Sequence, residues 1–291
     1  MSSDYTTECK LPHSFPPQHQ PCEPGIESIM VPRPIFEPPA CAQFSSGKRL
    51  QDKVALITGG DSGIGRAVAC AYAKEGADIA IVYYNEHGDV KETKARIEEL
   101  GRKCLTISID IGIPESSQII VQKVMQHFGK IDILVNNAAL LFSSNSIEEV
   151  TNEQLEWTFR VNVFSYFYLT KAAVPCMKPG SCIINTSSLV AFKTPYGLSL
   201  EYEASKAAVN NFTITLARTL IPRGIRVNGV APGETWTPLI PSGLPADKVA
   251  AWGTETPMKR AAQPFEIAPA FVFLASNEAG YMSGQTMHMY S

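Results

Sequence analysis

This chain lacks most of the signals that would send it to a membrane, a nucleic acid or an oxidising compartment. Its seven cysteines form no Cys-x-x-Cys pair, and Cys70, Cys104 and Cys182 fall inside apolar stretches. They read as small buried residues in a reducing compartment, so a disulfide framework is excluded and a cytoplasmic location is expected. Five scattered histidines offer no spacing for a zinc site, and no metal is expected. A net charge of −3 gives no electrostatic footprint for nucleic acid or an anionic membrane surface. No apolar run approaches the roughly 20 residues of a membrane span, and the N-terminus has no signal-peptide pattern.

What the chain does have is concentrated between Lys53 and Gly76. Lys53-Val54-Ala55-Leu56-Ile57-Thr58 is a short apolar run of the kind that makes a buried parallel strand. Gly59-Gly60-Asp61-Ser62-Gly63-Ile64-Gly65 follows directly. A helix comes next, with Ala67, Val68, Ala71 and Tyr72 on one packed face, and it stops at Gly76. Strand, glycine turn and helix in that order aim free N–H groups and a positive helix end at one point, which suits a pyrophosphate. Glycines are expected there because a Cβ would block the phosphates. The spacing Thr58-Gly59-x-x-x-Gly63-x-Gly65 differs from G-x-G-x-x-G, and no Gly-Lys-Ser or Gly-Lys-Thr follows.

Residues 1–46 are a different material. Nine of the 21 prolines lie there, with little periodicity, so the segment is expected to be an extended, proline-rich arm without a core of its own. It either lies on a domain or a neighbouring subunit, or trails as a tail. Residues 47–291 alternate strand and helix signals. Strands are expected over 77–84, 103–109, 131–135, 182–186, 225–230 and 285–289, and helices over 89–100, 115–128, 151–177, 201–221 and 265–275. Such regular alternation implies a parallel sheet covered on both faces, a doubly wound α/β fold in one catalytic domain. Right-handed crossovers then bring every strand's C-terminal end to one edge, where ligands bind.

That edge collects Gly59 to Gly65, Asp110, Asn136, Ser188 and Pro232-Gly233. Tyr202 and Lys206 are one helical turn apart on one face. Chance alone would give about half a Tyr-x-x-x-Lys pair in a chain of this composition. This pair is nonetheless unique in the sequence, and it begins the helix that follows Ser188.

The glycine turn, Asn136-Asn137-Ala138-Ala139, Ser188 and Tyr202-x-x-x-Lys206 occur in an order that resembles the short-chain dehydrogenase/reductase family over about residues 50–290. The form of the glycine turn and the proline-rich leader resemble the subgroup that includes glucose and ribitol dehydrogenase homologues. The resemblance implies a Rossmann-type sheet of order 3-2-1-4-5-6-7, usually in a homotetramer (or a homodimer). It implies Tyr202 as general acid or base, Lys206 lowering its pKa and holding the nicotinamide ribose, and Ser188 orienting the substrate oxygen. Asn162 would keep a water on a proton path to Lys206. Ser187 is the rival to Ser188, and Tyr196 is a rival tyrosine with no lysine partner. The cofactor contacts implied are Gly59, Asp61, Ser62, Gly63, Ile64, Gly65, Tyr84, Asp110, Ile111, Asn136, Ala138, Pro232, Gly233 and Thr237, with Tyr202 and Lys206.

Strand two ends Tyr83-Tyr84-Asn85, with no acid there to take a ribose 2′-hydroxyl and no basic residue there or beside Ser62 to grip a 2′-phosphate. The balance favours NADP(H), with NAD(H) possible. Residues 234–264 lie after strand six, where the resemblance implies a mobile substrate lid. They carry Trp236, Leu239, Ile240, Leu244, Trp252 and Met258, while the loop after Ser188 adds Leu189, Phe192, Tyr196 and Leu198. An apolar lid suits a hydrophobic or aromatic carbonyl or alcohol, unless these side chains face the core or a partner subunit. The expected activity is therefore interconversion of an alcohol with a ketone or aldehyde. The alternatives are a cofactor-binding member without redox turnover, regulatory or cyclase-like, and a sugar-nucleotide epimerase, for which the chain after Gly233 is too short.

Overall fold

The computed structural model describes residues 11–39, 47–144, 146–193 and 199–290. β1 (Val54–Thr58) is buried on both faces, and its alternating side chains separate two cores. Ala55 and Ile57 join one cluster with residues of helices α1 (Gly63–Lys74) and α9 (Pro264–Ala275). Val54 and Leu56 join the opposite cluster, with α3 (Ser116–Phe128) and α5 (Ser165–Ala173). A period of two inside a continuous apolar run is what a strand between two helix layers requires.

The remaining strands are β2 (Asp78–Tyr83), β3 (Cys104–Ser108), β4 (Ile133–Asn136), β5 (Cys182–Thr186), β6 (Arg226–Pro232) and β7 (Thr286–Met289). All pairings are parallel, in the order β3-β2-β1-β4-β5-β6-β7 that the resemblance implied. The other long helices are α2 (His87–Glu99) and α6 (Leu200–Leu220). Among the described residues no helix is long and apolar enough to cross a membrane. Burial pushes the Cys70, Cys104 and Cys182 thiols up to about 12, 12 and 11, so they are poor nucleophiles.

Two elements differ from the sequence expectation. The helix expected to run unbroken from Thr151 to Met177 opens on a Thr151–Gln154 capping box as α4 (Asn152–Phe159). It then widens into a π-helical stretch, Arg160–Phe164, before resuming as α5. Residues 234–264, expected as loop, contain two short helices, α7 (Leu239–Gly243) and α8 (Ala246–Ala250).

Candidate active site

The glycine turn shapes one end of a cleft at the strand C-termini. Gly59 and Gly63 hold φ of +62° and +52°, in the left-handed region that side chains disfavour. Gly65 has a different reason to be glycine. A Cβ there would lie 1.8 Å from the Gly59 carbonyl oxygen, so the helix and its own turn could not meet. The glycine at 65 thus serves packing of the turn, not clearance for a ligand, and Gly65 does not line the cleft.

Asn137 pins this turn to the end of β4. Its Nδ2 donates to the Thr58 and Gly59 carbonyls at 3.1 and 3.2 Å, while its backbone N–H donates to Thr58 Oγ1 at 2.9 Å. Asn136, the residue expected here, does not reach the cleft. Its Nδ2 donates to Asn185 Oδ1 at 2.9 Å and Thr170 Oγ1 at 3.3 Å, so the side chain ties β4 to β5 and α5 inside the fold. The Asn-Asn pair was visible in the sequence, but which member faces outward depends on where the strand ends. The other expected cofactor residues (Gly59, Asp61, Ser62, Gly63, Ile64, Tyr84, Asp110, Ile111, Ala138, Pro232, Gly233 and Thr237) all line the cleft. Asp110 turns its own loop, accepting the Gly112 N–H at 2.7 Å.

Sequence reading overlooked Glu86. It lies just past Tyr84 and lines the same end of the cleft as Asp61. Burial raises both carboxyl groups, Asp61 to about 7; the Glu86 charge adds to the rise of Asp61, and the Asp89 charge adds to both. Also overlooked were Pro24 and Gly25 of the arm and Trp157, all of which line the cleft.

At the other end stand Ser188, Tyr202 and Lys206. Burial pushes the Tyr202 phenol up to about 12, opposed by a hydrogen bond with Ser188. Burial also pulls the Lys206 ammonium down to about 7. Its Nζ donates to the Thr186 carbonyl at 2.9 Å and sits 5.5 Å from the Tyr202 ring centre. The expected lowering of Tyr202 by Lys206 is therefore absent here. Loss of solvation dominates both groups, and a half-protonated lysine exerts only part of its charge. Ser187 is turned away, donating to the Lys206 carbonyl at 3.1 Å, whereas Ser188 meets the tyrosine. The rival Tyr196 and Leu198 lie outside the described residues.

Asn162 sits in the π-helical stretch with no exposed surface. Its Oδ1 accepts the Leu140 N–H at 2.8 Å, and its Nδ2 donates to Leu140 O at 2.9 Å and Ser205 Oγ at 3.0 Å. Ser205 Oγ donates in turn to the Tyr202 carbonyl at 2.7 Å. Both amide hydrogens are thereby committed, so the side chain anchors the tyrosine's helix. Of the apolar lid residues, Leu239, Ile240, Leu244, Trp252 and Leu189 line the cleft, joined by Leu141 and Val190. Trp236 instead packs beneath the arm, while Met258 and Phe192 are 56% and 39% exposed and outside the lining.

A family model described as enoyl-(acyl carrier protein) reductase matches residues 59–290. Glucose and ribitol dehydrogenase homolog 2 of Arabidopsis thaliana is 47% identical over 94% of this chain and 96% of its own. The same plant's chloroplastic NADPH-dependent aldehyde reductase 1 is 46% identical over 93% and 95% of the two chains. Among solved structures, a short chain dehydrogenase from Burkholderia cenocepacia J2315 in complex with NADP superposes with a TM-score of 0.78 at 34% identity, covering 83% of this chain and 98% of the other.

Proposed function

The chain belongs to the short-chain dehydrogenase/reductase family, and on that premise we propose that it moves hydride between NADP(H) and a hydrophobic carbonyl compound or its alcohol. The observation that carries this reading is the convergence of Ser188, Tyr202 and Lys206 on the same cleft as the glycine turn. Gly59 to Ile64 would hold the diphosphate, and Lys206 the nicotinamide ribose. When bound, the nicotinamide supplies or accepts the hydride and, oxidised, adds a positive charge. Tyr202 then protonates the carbonyl oxygen that Ser188 orients. A phenol held near 12 is fully protonated at neutral pH, which makes it competent as the acid for reduction. Alcohol oxidation needs the phenolate, which burial opposes until a nearby positive charge offsets it. A pair of hydroxyls in one cleft suits the oxygen of a carbonyl better than a carbon–carbon double bond.

The apolar lining at this end supports a hydrophobic substrate, since a polyol would need a matched partner for each hydroxyl at about 1–3 kcal/mol apiece. Absorbance at 340 nm, followed over aryl ketones, aliphatic aldehydes, glucose and ribitol, tests both levels. The expected result is oxidation of NADPH, with the highest kcat/KM on the aryl and aliphatic carbonyls. Dinucleotide binding without turnover on any of them would instead favour a non-redox binder, and a higher kcat/KM for glucose or ribitol would reverse the substrate reading.

For the cofactor, the lack of an acid at Tyr83, Tyr84 and Asn85 and the NADP of the solved neighbour support NADP(H). Against it stand Asp61 and Glu86, which repel a 2′-phosphate when ionised. A carboxyl group raised to about 7 is neutral below that pH and charged above it. Fluorescence titration should therefore show NADPH binding more tightly than NADH, with the NADPH affinity falling from pH 6 to pH 8. Asp61→Asn should flatten that fall. Tighter NADH at both pH values would sink the preference, and an unchanged pH profile in the variant would remove Asp61 from it. A homotetramer is the assembly we infer; Phe164 and Phe167, 45% and 49% exposed, offer it an apolar face.

A further inference from the structure

The arm that precedes the catalytic fold is built into the cleft from two sides. On the side of the glycine turn, Glu27 has no exposed surface. One carboxylate oxygen accepts the Gly63 N–H at 2.6 Å, and the other lies 2.6 Å from the equally buried Arg66 guanidinium. Asp89 on α2 fixes this part of the arm by accepting the N–H groups of Glu27 and Ser28 at 2.7 and 3.2 Å. On the side of the lid, Phe15 stacks on Trp236 with ring centres 3.8 Å apart and planes within 7°. The Trp236 Nε1–H donates to the Pro32 carbonyl at 2.8 Å, and the Gln20 N–H to the Pro241 carbonyl at 2.6 Å. Between these anchors, Pro24 and Gly25 line the cleft itself. Gly25 is pressed so near α7 that a Cβ on it would lie 2.3 Å from the Pro238 carbonyl oxygen.

A buried carboxylate persists only where its charge and lone pairs are matched, and here an arginine and a helix-terminal N–H match it. Gly63 N–H is one of the orphan donors that open α1. With Glu27 taking it from behind, the turn is held in one shape and its other N–H groups are left for a ligand in front. We propose that residues 15–36 form a fixed wall of the dinucleotide site, and that Glu27 is a positioning residue for the glycine turn. The proposal rests on the reading that this cleft takes a dinucleotide. The arm thereby ties the cofactor turn to the substrate lid, because Gly25 and Glu27 stand two residues apart in a segment bonded to both.

The test uses full-length chains carrying Glu27→Gln, Gly25→Ala or Phe15→Ala. Glu27→Gln keeps the side-chain shape but removes the charge that the Arg66 guanidinium and the Gly63 N–H share. It is expected to raise the NADPH Kd and KM by about tenfold or more, because a charge-assisted pair holding the turn is lost. At saturating NADPH its kcat should stay within about twofold, a split that general loss of folded protein would not produce. Gly25→Ala disturbs the same wall without touching a charge, and carries the binding arm of the test if Glu27→Gln fails to fold. Phe15→Ala is read by hydrogen exchange without added dinucleotide, where amides of residues 236–244 should exchange about tenfold faster than in the wild type. Wild-type-like NADPH affinity in the folded wall variants, or unchanged lid exchange in Phe15→Ala, overturns the proposal. If the wild type itself binds neither dinucleotide, the functional reading fails, and the exchange result alone decides whether the arm holds the lid.

Discussion

Tyr202→Phe should lower kcat at least about a hundredfold, while the NADPH Kd stays within about twofold of wild type. The substitution removes one oxygen and keeps the ring, so the packing of Tyr202 against the lid cluster is retained. What is lost is the proton for the carbonyl oxygen and the hydrogen bond with Ser188. No neighbour replaces it. Tyr166 is also close to Lys206, at 5.9 Å from Nζ to ring centre, but its hydroxyl faces the Ala138 and Thr186 carbonyls and burial raises it far above its usual range. Steady-state kinetics with a fluorescence titration separate the two effects. Residual turnover above about a tenth of wild type would remove Tyr202 from proton transfer.

The second large effect is expected at a position that does not line the cleft. In an ordinary helix, glycine to alanine stabilises by about 1 kcal/mol. Gly65→Ala should do the reverse, because its methyl would meet the Gly59 carbonyl at 1.8 Å and the Asn137 amide at 2.8 Å. A backbone carbonyl cannot swing aside as a side chain can, so the turn or the whole of α1 must move. Overpacking of this kind costs about 1–3 kcal/mol, which in a domain of this size lowers Tm by several degrees, about 2–4 °C for each kcal/mol. The displaced turn should also weaken NADPH by about tenfold or more. Thermal unfolding and a binding titration check both; a variant that melts and binds like wild type would show that the turn yields more easily than its geometry implies.

Much of this site was legible because parallel strands sort residues by position. Once an apolar run is placed, its C-terminal neighbour must lie on the ligand edge, and Asp110, Ser188 and Pro232-Gly233 are where that rule puts them. The Tyr202–Lys206 pair was legible for a similar reason, since helical spacing alone puts both on one face. The rule fails where a shift of one residue matters. β4 ends on Asn136, so its side chain still belongs to the sheet and Asn137 is the first to leave it. The π-helical stretch at Asn162 escaped because one extra residue in a turn leaves the flanking periodicity of each half intact. Glu86 was passed over because it stands beyond the strand and returns to the cleft through the start of α2. The arm gave little periodic signal. Its shape is imposed by partners such as Trp236 and Arg66, and no local pattern announces contacts that distant.

That distance has a consequence in time. The Pro32 carbonyl and the Trp236 indole that donates to it are 204 positions apart, and Phe15 waits for the same indole. A ribosome adding about 5–20 residues each second needs about 10–40 s to deliver the second partner after the first. For most of that interval Phe15 and Pro32 lack their lid partner, while β1 to β5 and their helices can already assemble and receive Glu27 at Arg66 and Asp89. The lid-facing part of the arm is thus among the last segments to find its place. Its prolines and polar residues keep it soluble and unpaired through the wait, which a run of strand-forming residues at the same position would not do.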